Sequence, residues 1–111
     1  MQTENIYRFL GLAQRAGAVL SGNEQLRDGL KNRKGKLLLI AEDASERTAK
    51  DLREMAARAN ISCRMFGEKE KLGQALGKGV RTAILITDGG FCRAVLKKLD
   101  AGRKEAAYAE I

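Results

Sequence analysis

The chain has 111 residues, the length of one ordinary domain. Lys and Arg number 21 against 14 Asp and Glu, a net charge of +7 that makes nucleic acid or an anionic surface the expected partner. There is no histidine, which excludes Ser-His and Cys-His nucleophile pairs, His-ligated zinc and the commonest general base near neutral pH.

Aromatic residues make up only 5% of the chain. The core is therefore expected to be aliphatic, and binders that stack splayed bases on exposed rings are disfavoured. No apolar run approaches the roughly 18 residues of a membrane span, and no basic helix carries bulky interfacial aromatics. The polar start Met1-Gln2-Thr3-Glu4-Asn5 lacks a signal-peptide pattern. The expectation is a cytoplasmic, monomeric, non-enzymatic protein with no membrane partner, no metal and no cofactor. Cys63 and Cys92 fit no C-x-x-C pattern and read as buried free thiols.

Asn5 to Arg15 carries Ile6, Phe9, Leu10 and Ala13, an amphipathic helical spacing closed by Gly17. Ala18-Val19-Leu20 reads as a short extended link or a first strand. Ser21-Gly22-Asn23-Glu24-Gln25-Leu26-Arg27 then reads as a helix entrance, with Ser21 as N-cap and Gly22 allowing close approach from outside. At about 100° per residue, Asn23, Glu24, Arg27, Asp28 and Lys31 share one arc while Leu26 and Leu30 point away. An ordinary capped helix with a solvated face has the same spacing. This helix is expected to end near Asn32, before the basic turn Arg33-Lys34-Gly35-Lys36.

Lys36 to Ala41 is a continuous apolar run of the kind buried on both faces of a sheet. Asp43 with Glu46 matches a capping box, Ser45 being the alternative cap, for a helix from about Glu46 to Ala59. Ile61 to Phe66 alternates like a half-buried strand, with Ile61, Cys63 and Met65 on one face. A short helix holds Leu72, Ala75 and Leu76, and the two-glycine loop Gly77-Lys78-Gly79-Val80-Arg81 follows. Thr82 to Thr87 is another buried strand, and Asp88 caps a last helix through Phe91, Cys92, Val95, Leu96 and Leu99. Residues 1–100 form the expected domain and 101–111 a polar tail. The alternation predicts an α/β fold, a single-domain three-layer α/β/α sandwich with a small mixed sheet.

Two groups of cations stand out: Arg15, Arg27, Lys31, Arg33, Lys34 and Lys36 around the second helix, and Lys78 and Arg81 in the two-glycine loop. Both are expected to reach one edge of the sandwich. An enzyme-like alternative is a receiver-type regulatory domain acting through Asp43 and protein partners, because Glu42 and Asp43 follow a buried strand. Asp88-Gly89-Gly90 could cradle a phosphate, but a lone Gly-Gly is a weak signal and a plain strand-to-helix turn is the better explanation.

Gly22-Asn23-Glu24 with a cation at position 27, followed by a strand ending Leu-Ile-Ala-Glu-Asp, resembles the L-seven-Ae/L-thirty-e ribosomal-protein superfamily of kink-turn RNA binders. The likeness extends over roughly residues 4 to 99 and is nearest to the bacterial YlxQ-type branch. It implies binding to structured RNA, ribosomal or otherwise non-coding, that is sharply bent at tandem sheared G·A pairs. Carried over by position, it implies that Asn23, Glu24 and Arg27 meet the guanines and that Gly22 admits the backbone. Lys78, Gly79, Val80 and Arg81 would cover the extruded nucleotides, with Lys31, Arg33 and Lys34 on phosphates. The chain departs from the family pattern in three places. Arg27 stands where many members have Lys, the loop at 77–81 is more charged than the apolar cap of the tightest binders, and no proline follows Asp43.

Overall fold

In the computed structural model the described residues are 2–109, with side chains described for residues 3–101. The elements in chain order are α1 (Gln2–Arg15), β1 (Val19–Leu20), α2 (Asn23–Lys31), β2 (Leu37–Ile40), α3 (Glu46–Arg58), β3 (Ser62–Met65), α4 (Lys69–Ala75), β4 (Ala83–Ile86) and α5 (Gly89–Ala109). The two apolar runs become β2 and β4, and all eight of their residues are buried. The strand order is β1-β4-β2-β3. β2 pairs β3 in parallel, whereas β4 runs antiparallel to both β2 and β1.

Side chains alternate across this sheet and meet helices on both sides. Leu37, Leu39, Ile84 and Ile86 pack against α1, α4 and α5 through Ile6, Leu10, Leu72 and Val95. Leu38, Ile40, Ala83 and Leu85 pack against α2 and α3 through Leu26, Leu30, Ala49, Leu52 and Ala56. The three-layer α/β/α sandwich with a mixed sheet is thus the observed fold, built on an aliphatic core in which each fully buried Leu or Ile contributes about 1.5–3 kcal/mol.

Several local expectations shift. α3 is capped by Ser45, whose Oγ accepts from the Thr48 N–H at 3.2 Å. Asp43 instead reaches forward, its Oδ1 accepting from the Lys69 N–H at 2.9 Å at the start of α4. A carboxylate beyond a strand end can serve either helix, and here the later one takes it. Asp88 caps α5 as expected, with Oδ2 accepting from the Phe91 N–H at 2.9 Å. α5 continues through Ala109, and residues 110–111 of the expected tail lie outside the described residues. Cys92 is buried and Cys63 half-buried, both as free thiols. Burial pushes the Cys92 thiol up, and Arg93, Lys36 and Arg64 pull it partway back.

α4 and the loop after it are tied together closely. The Lys78 N–H donates to Gly73 O at 2.8 Å, and the Arg81 N–H donates to Lys69 O at 3.0 Å. A side chain at Gly73 would lie on the Gly79 carbonyl, whereas one at Gly79 meets nothing within 4 Å. Gly73→Ala is therefore expected to lose about 1–3 kcal/mol in urea unfolding, while Gly79→Ala shifts the midpoint little. Equal losses would show that the loop is not seated on α4.

Candidate nucleic-acid interface

α2 begins at Gly22, which adopts extended backbone (φ −67°, ψ 140°) and offers no side chain to the helix. Ser21, the expected cap, lies one residue too early. Its Oγ accepts from Arg81 Nε at 3.1 Å instead. Two consequences follow from that one bond. The loop at 77–81 is pinned beside the start of α2, and the first-turn N–H groups of α2 are left without a side-chain acceptor among the described residues. Free N–H groups together with the partial positive charge of a helix start suit an anion or a base oxygen.

Two open grooves flank this entrance. One, of about 480 Å³, runs between α2, α3 and the loop, and is lined by Gly22, Asn23, Arg27, Thr48, Val80 and Arg81 among others. The second, of about 450 Å³, lies on the other side, with Asn23, Glu24, Gln25, Lys78 and Arg81 in its wall. Asn23, Glu24, Arg27, Lys78, Val80 and Arg81 are thus gathered at one end of the sandwich although 51 to 58 positions separate the loop residues from those of α2 in sequence. Val80 is 54% exposed, an unusual position for a branched apolar side chain and one suited to lie against a base or sugar.

Arg27 is held rather than free. Its Nε donates to Asn23 Oδ1 at 2.9 Å and its Nη1 to Asp51 Oδ2 at 2.7 Å, with Met55 Sδ 3.4 Å away. The ion pair is 33% and 48% exposed, so it orients the guanidinium more than it stabilises the fold. Asp51 and Thr48 on α3 were not singled out in the sequence, and Ser21 was expected only as a cap. The one available signal was that Thr48, Asp51 and Met55 share a helical face.

Lys31, Arg33 and Lys34 are not brought to either groove. They follow α2 to the opposite end of the sheet, about 13 Å away along the helix axis. Lys31 and Arg33 line a separate depression with Leu30, Met55, Arg58 and Ala59. The expectation that both basic groups share one edge therefore holds for Arg27 and the loop only. A nine-residue helix carries its two ends apart, however near they are in sequence.

Arg33 has a further peculiarity. It closes α2 at φ 55°, with its N–H donating to Leu30 O at 3.2 Å and the Lys34 N–H to Gly29 O at 2.9 Å. Gly17, Asn60 and Gly77 close α1, α3 and α4 in the same left-handed conformation, which suits glycine and asparagine but not arginine.

Residues 4–103 match the model of the "Ribosomal protein L7Ae/L30e/S12e/Gadd45 family", and the chain belongs to that family. It is 33% identical over 94 residues to the RNA-binding protein YlxQ of Bacillus subtilis (strain 168), covering 85% of this chain and 94% of that one. It is 35% identical over 86 residues to the RNA-binding protein YlxQ of Enterococcus faecium, covering 77% and 82%. A solved structure of a protein with unknown function from Bacillus halodurans superposes with a TM-score of 0.80 at 33% identity, covering 86% and 96% of the two chains.

Arg33→Gly is expected to raise stability by about 1 kcal/mol, measured as the urea midpoint at unchanged slope, because the left-handed penalty disappears. A loss of stability would mean that the side chain has a structural use.

Proposed function

We propose that the protein binds structured RNA at the α2 entrance and reads sheared G·A pairs of a kinked duplex there. The observation that carries this reading is the convergence of Asn23, Glu24 and Arg27 with Val80 and Arg81 around an uncapped helix start. The family and the two RNA-binding relatives support the RNA class. The kinked target follows from the chemistry of these side chains together with the resemblance of the Gly22-Asn23-Glu24 entrance.

Each group has a distinct task. Arg27 presents its remaining guanidinium N–H groups to guanine O6 or N7, and Asp51 and Asn23 fix the direction in which they point. The Glu24 carboxylate, exposed and without a protein partner among the described residues, accepts from an exocyclic amine. Gly22 leaves room. A side chain there would meet only the Gln25 amide, at 3.7 Å, and its φ of −67° is open to any residue. Nothing in the protein's own packing demands glycine at that position, which leaves approach of an RNA backbone as its use. Lys78 stands over phosphates, and Val80 covers an unstacked nucleotide. Arg81 chiefly holds the loop in place, since its Nε and Nη1 are engaged by Ser21 and by the Val80 carbonyl.

Glu24→Ala and Arg27→Ala are each expected to weaken binding to a kink-turn RNA by about 1–3 kcal/mol, with little effect on a G·A-disrupted control of equal length. Asp51→Ala keeps the Arg27 charge but releases its orientation. It is expected to leave generic affinity intact while reducing the preference for the kinked RNA. Fluorescence anisotropy with the two RNAs at fixed salt measures both, and equal binding of the two RNAs by the unaltered protein would refute the G·A reading.

Gly22→Ala provides an independent check. It is expected to leave the thermal midpoint within a degree or two while cutting kinked-RNA affinity about tenfold. A fall in thermal midpoint would instead assign Gly22 to folding.

A further inference from the structure

The end of the sheet opposite the grooves gathers a second and denser set of cations. Lys36 stands at the start of β2 and its N–H donates to Ile86 O at 2.7 Å, which places it where β4 ends and α5 is about to begin. The Lys36 carbonyl accepts from the Cys92 thiol at 3.7 Å, which brings Lys36 beside the start of α5 where Arg93 follows Cys92, and Arg64 lies on β3, the strand paired with β2. On the other face, Lys31, Arg33 and Arg58 line one depression at the C-terminal ends of α2 and α3, with no carboxylate in its wall. Lys34 sits exposed in the turn between the two groups.

These charges are not neutralised within the molecule. Among the described residues the two ion pairs are Arg27–Asp51 and Lys71–Glu68, and neither involves this end. Asp88, which caps α5, and Asp28, whose Oδ1 accepts from Asn32 Nδ2 at 3.1 Å, form no ion pair with these cations. Arg64 Nε is buried without a hydrogen-bond partner, and its Nη1 reaches only the carbonyl of the adjacent Cys63, at 2.9 Å. Arg33 holds a left-handed φ of 55° that arginine does not favour. Clustered like charges cost stability, and that cost falls when an anion is bound among them.

We infer that this basic end is a second RNA-binding surface, which holds the phosphate backbone of a segment other than the one at the α2 entrance. The inference rests on the RNA-binding reading above and extends it to Lys36, Arg58, Arg64 and Arg93. The separation from the grooves is about 13 Å along α2, more than the Debye length of about 8 Å at physiological salt. Charges at the two ends are thus largely screened from each other, phosphates held at one are not those held at the other, and the basic end is left open to a second RNA segment. Four of the seven cations are arginines, whose planar fork suits phosphate bidentately, and their sequence-blind charge suits a backbone rather than base edges.

The test uses the full chain, saturated with a short kink-turn RNA, to which a labelled plain duplex RNA is added. The duplex is expected to join the complex, with a log-log salt slope that falls by roughly 2 in the triple variant Lys34→Gln, Arg58→Gln, Arg93→Gln. Duplex affinity is expected to drop at least tenfold in that variant, with kink-turn affinity within about threefold of wild type. No ternary complex, or equal loss of both RNAs, would overturn the proposal. So would tighter binding of the same end to phosphatidylserine vesicles or to a poly-glutamate peptide than to the duplex. Failure of the groove reading shows separately, as equal affinity of the unaltered protein for kink-turn and G·A-disrupted RNA. Circular dichroism melts of the variant confirm that a loss is not unfolding, and the double variant Lys34→Gln, Arg93→Gln, whose side chains are exposed, repeats the measurement if the triple variant is unstable.

Discussion

The position of the interface depends on β4 running against β2. A parallel crossover after β3 would return the chain to the far end of the sheet before the next strand began. β4 is antiparallel, so it must start at the end where β3 stopped, and α4 with its loop has to bring the chain back there. Gly73 makes that return tight by admitting the Gly79 carbonyl onto α4, and the Arg81 and Lys78 N–H groups fasten it. The Arg81 side chain then reaches Ser21. β1, paired with the other edge of β4, delivers the start of α2 to the same place. The loop and the helix entrance are neighbours because of one strand direction.

At that junction the protein gives up a cap. A serine or aspartate bonded to the first turn of α2 would add only about a few tenths of a kcal/mol over the glycine that stands there. The hydroxyl that could have moved into that position is held by Arg81, and the helix opens on a glycine. The arrangement exchanges a little stability for unpaired N–H groups beside an oriented arginine. Arg27 follows the same logic. Its bonds to Asn23 and Asp51 are too exposed to contribute much to folding, but they remove freedom that a ligand would otherwise have to remove on binding.

Much of this was legible in the sequence where the signal is local. The runs at Lys36 to Ala41 and Thr82 to Thr87 could only be buried strands, since each is apolar on both faces and too short for a helix. The amphipathic helices, the Asp88 cap and the alternating face of Ile61, Cys63 and Met65 followed from spacing in the same way. What was not legible depends on residues far apart in the chain. A cap preference cannot register that Arg81, 60 positions later, will claim the Ser21 hydroxyl, nor that Lys69 will claim Asp43. Nothing local marks Asp51, which only the packing of α2 on α3 brings to Arg27. Lys31 to Lys36 looked like neighbours of Arg27 because only a few residues intervene, and those residues are the helix that carries them away.

The separation of charge along the molecule divides the work between the two ends. Glu24, Glu42, Asp43, Glu46, Glu68 and Glu70 all lie toward the groove end, where β2 and β3 finish and α2, α3 and α4 begin. Carboxylates there suit the first turns of those helices, and they also make a poor resting place for an arbitrary phosphate chain. Under the proposed reading, RNA stays at the grooves only if Asn23, Glu24 and Arg27 find their partners, because net charge alone does not hold it. On the same reading, the cations at the other end, unpaired among the described residues, supply the long-range attraction that brings RNA to the molecule, and they supply it without regard to sequence. Placing attraction and discrimination at opposite ends of one small sandwich keeps the first from overriding the second.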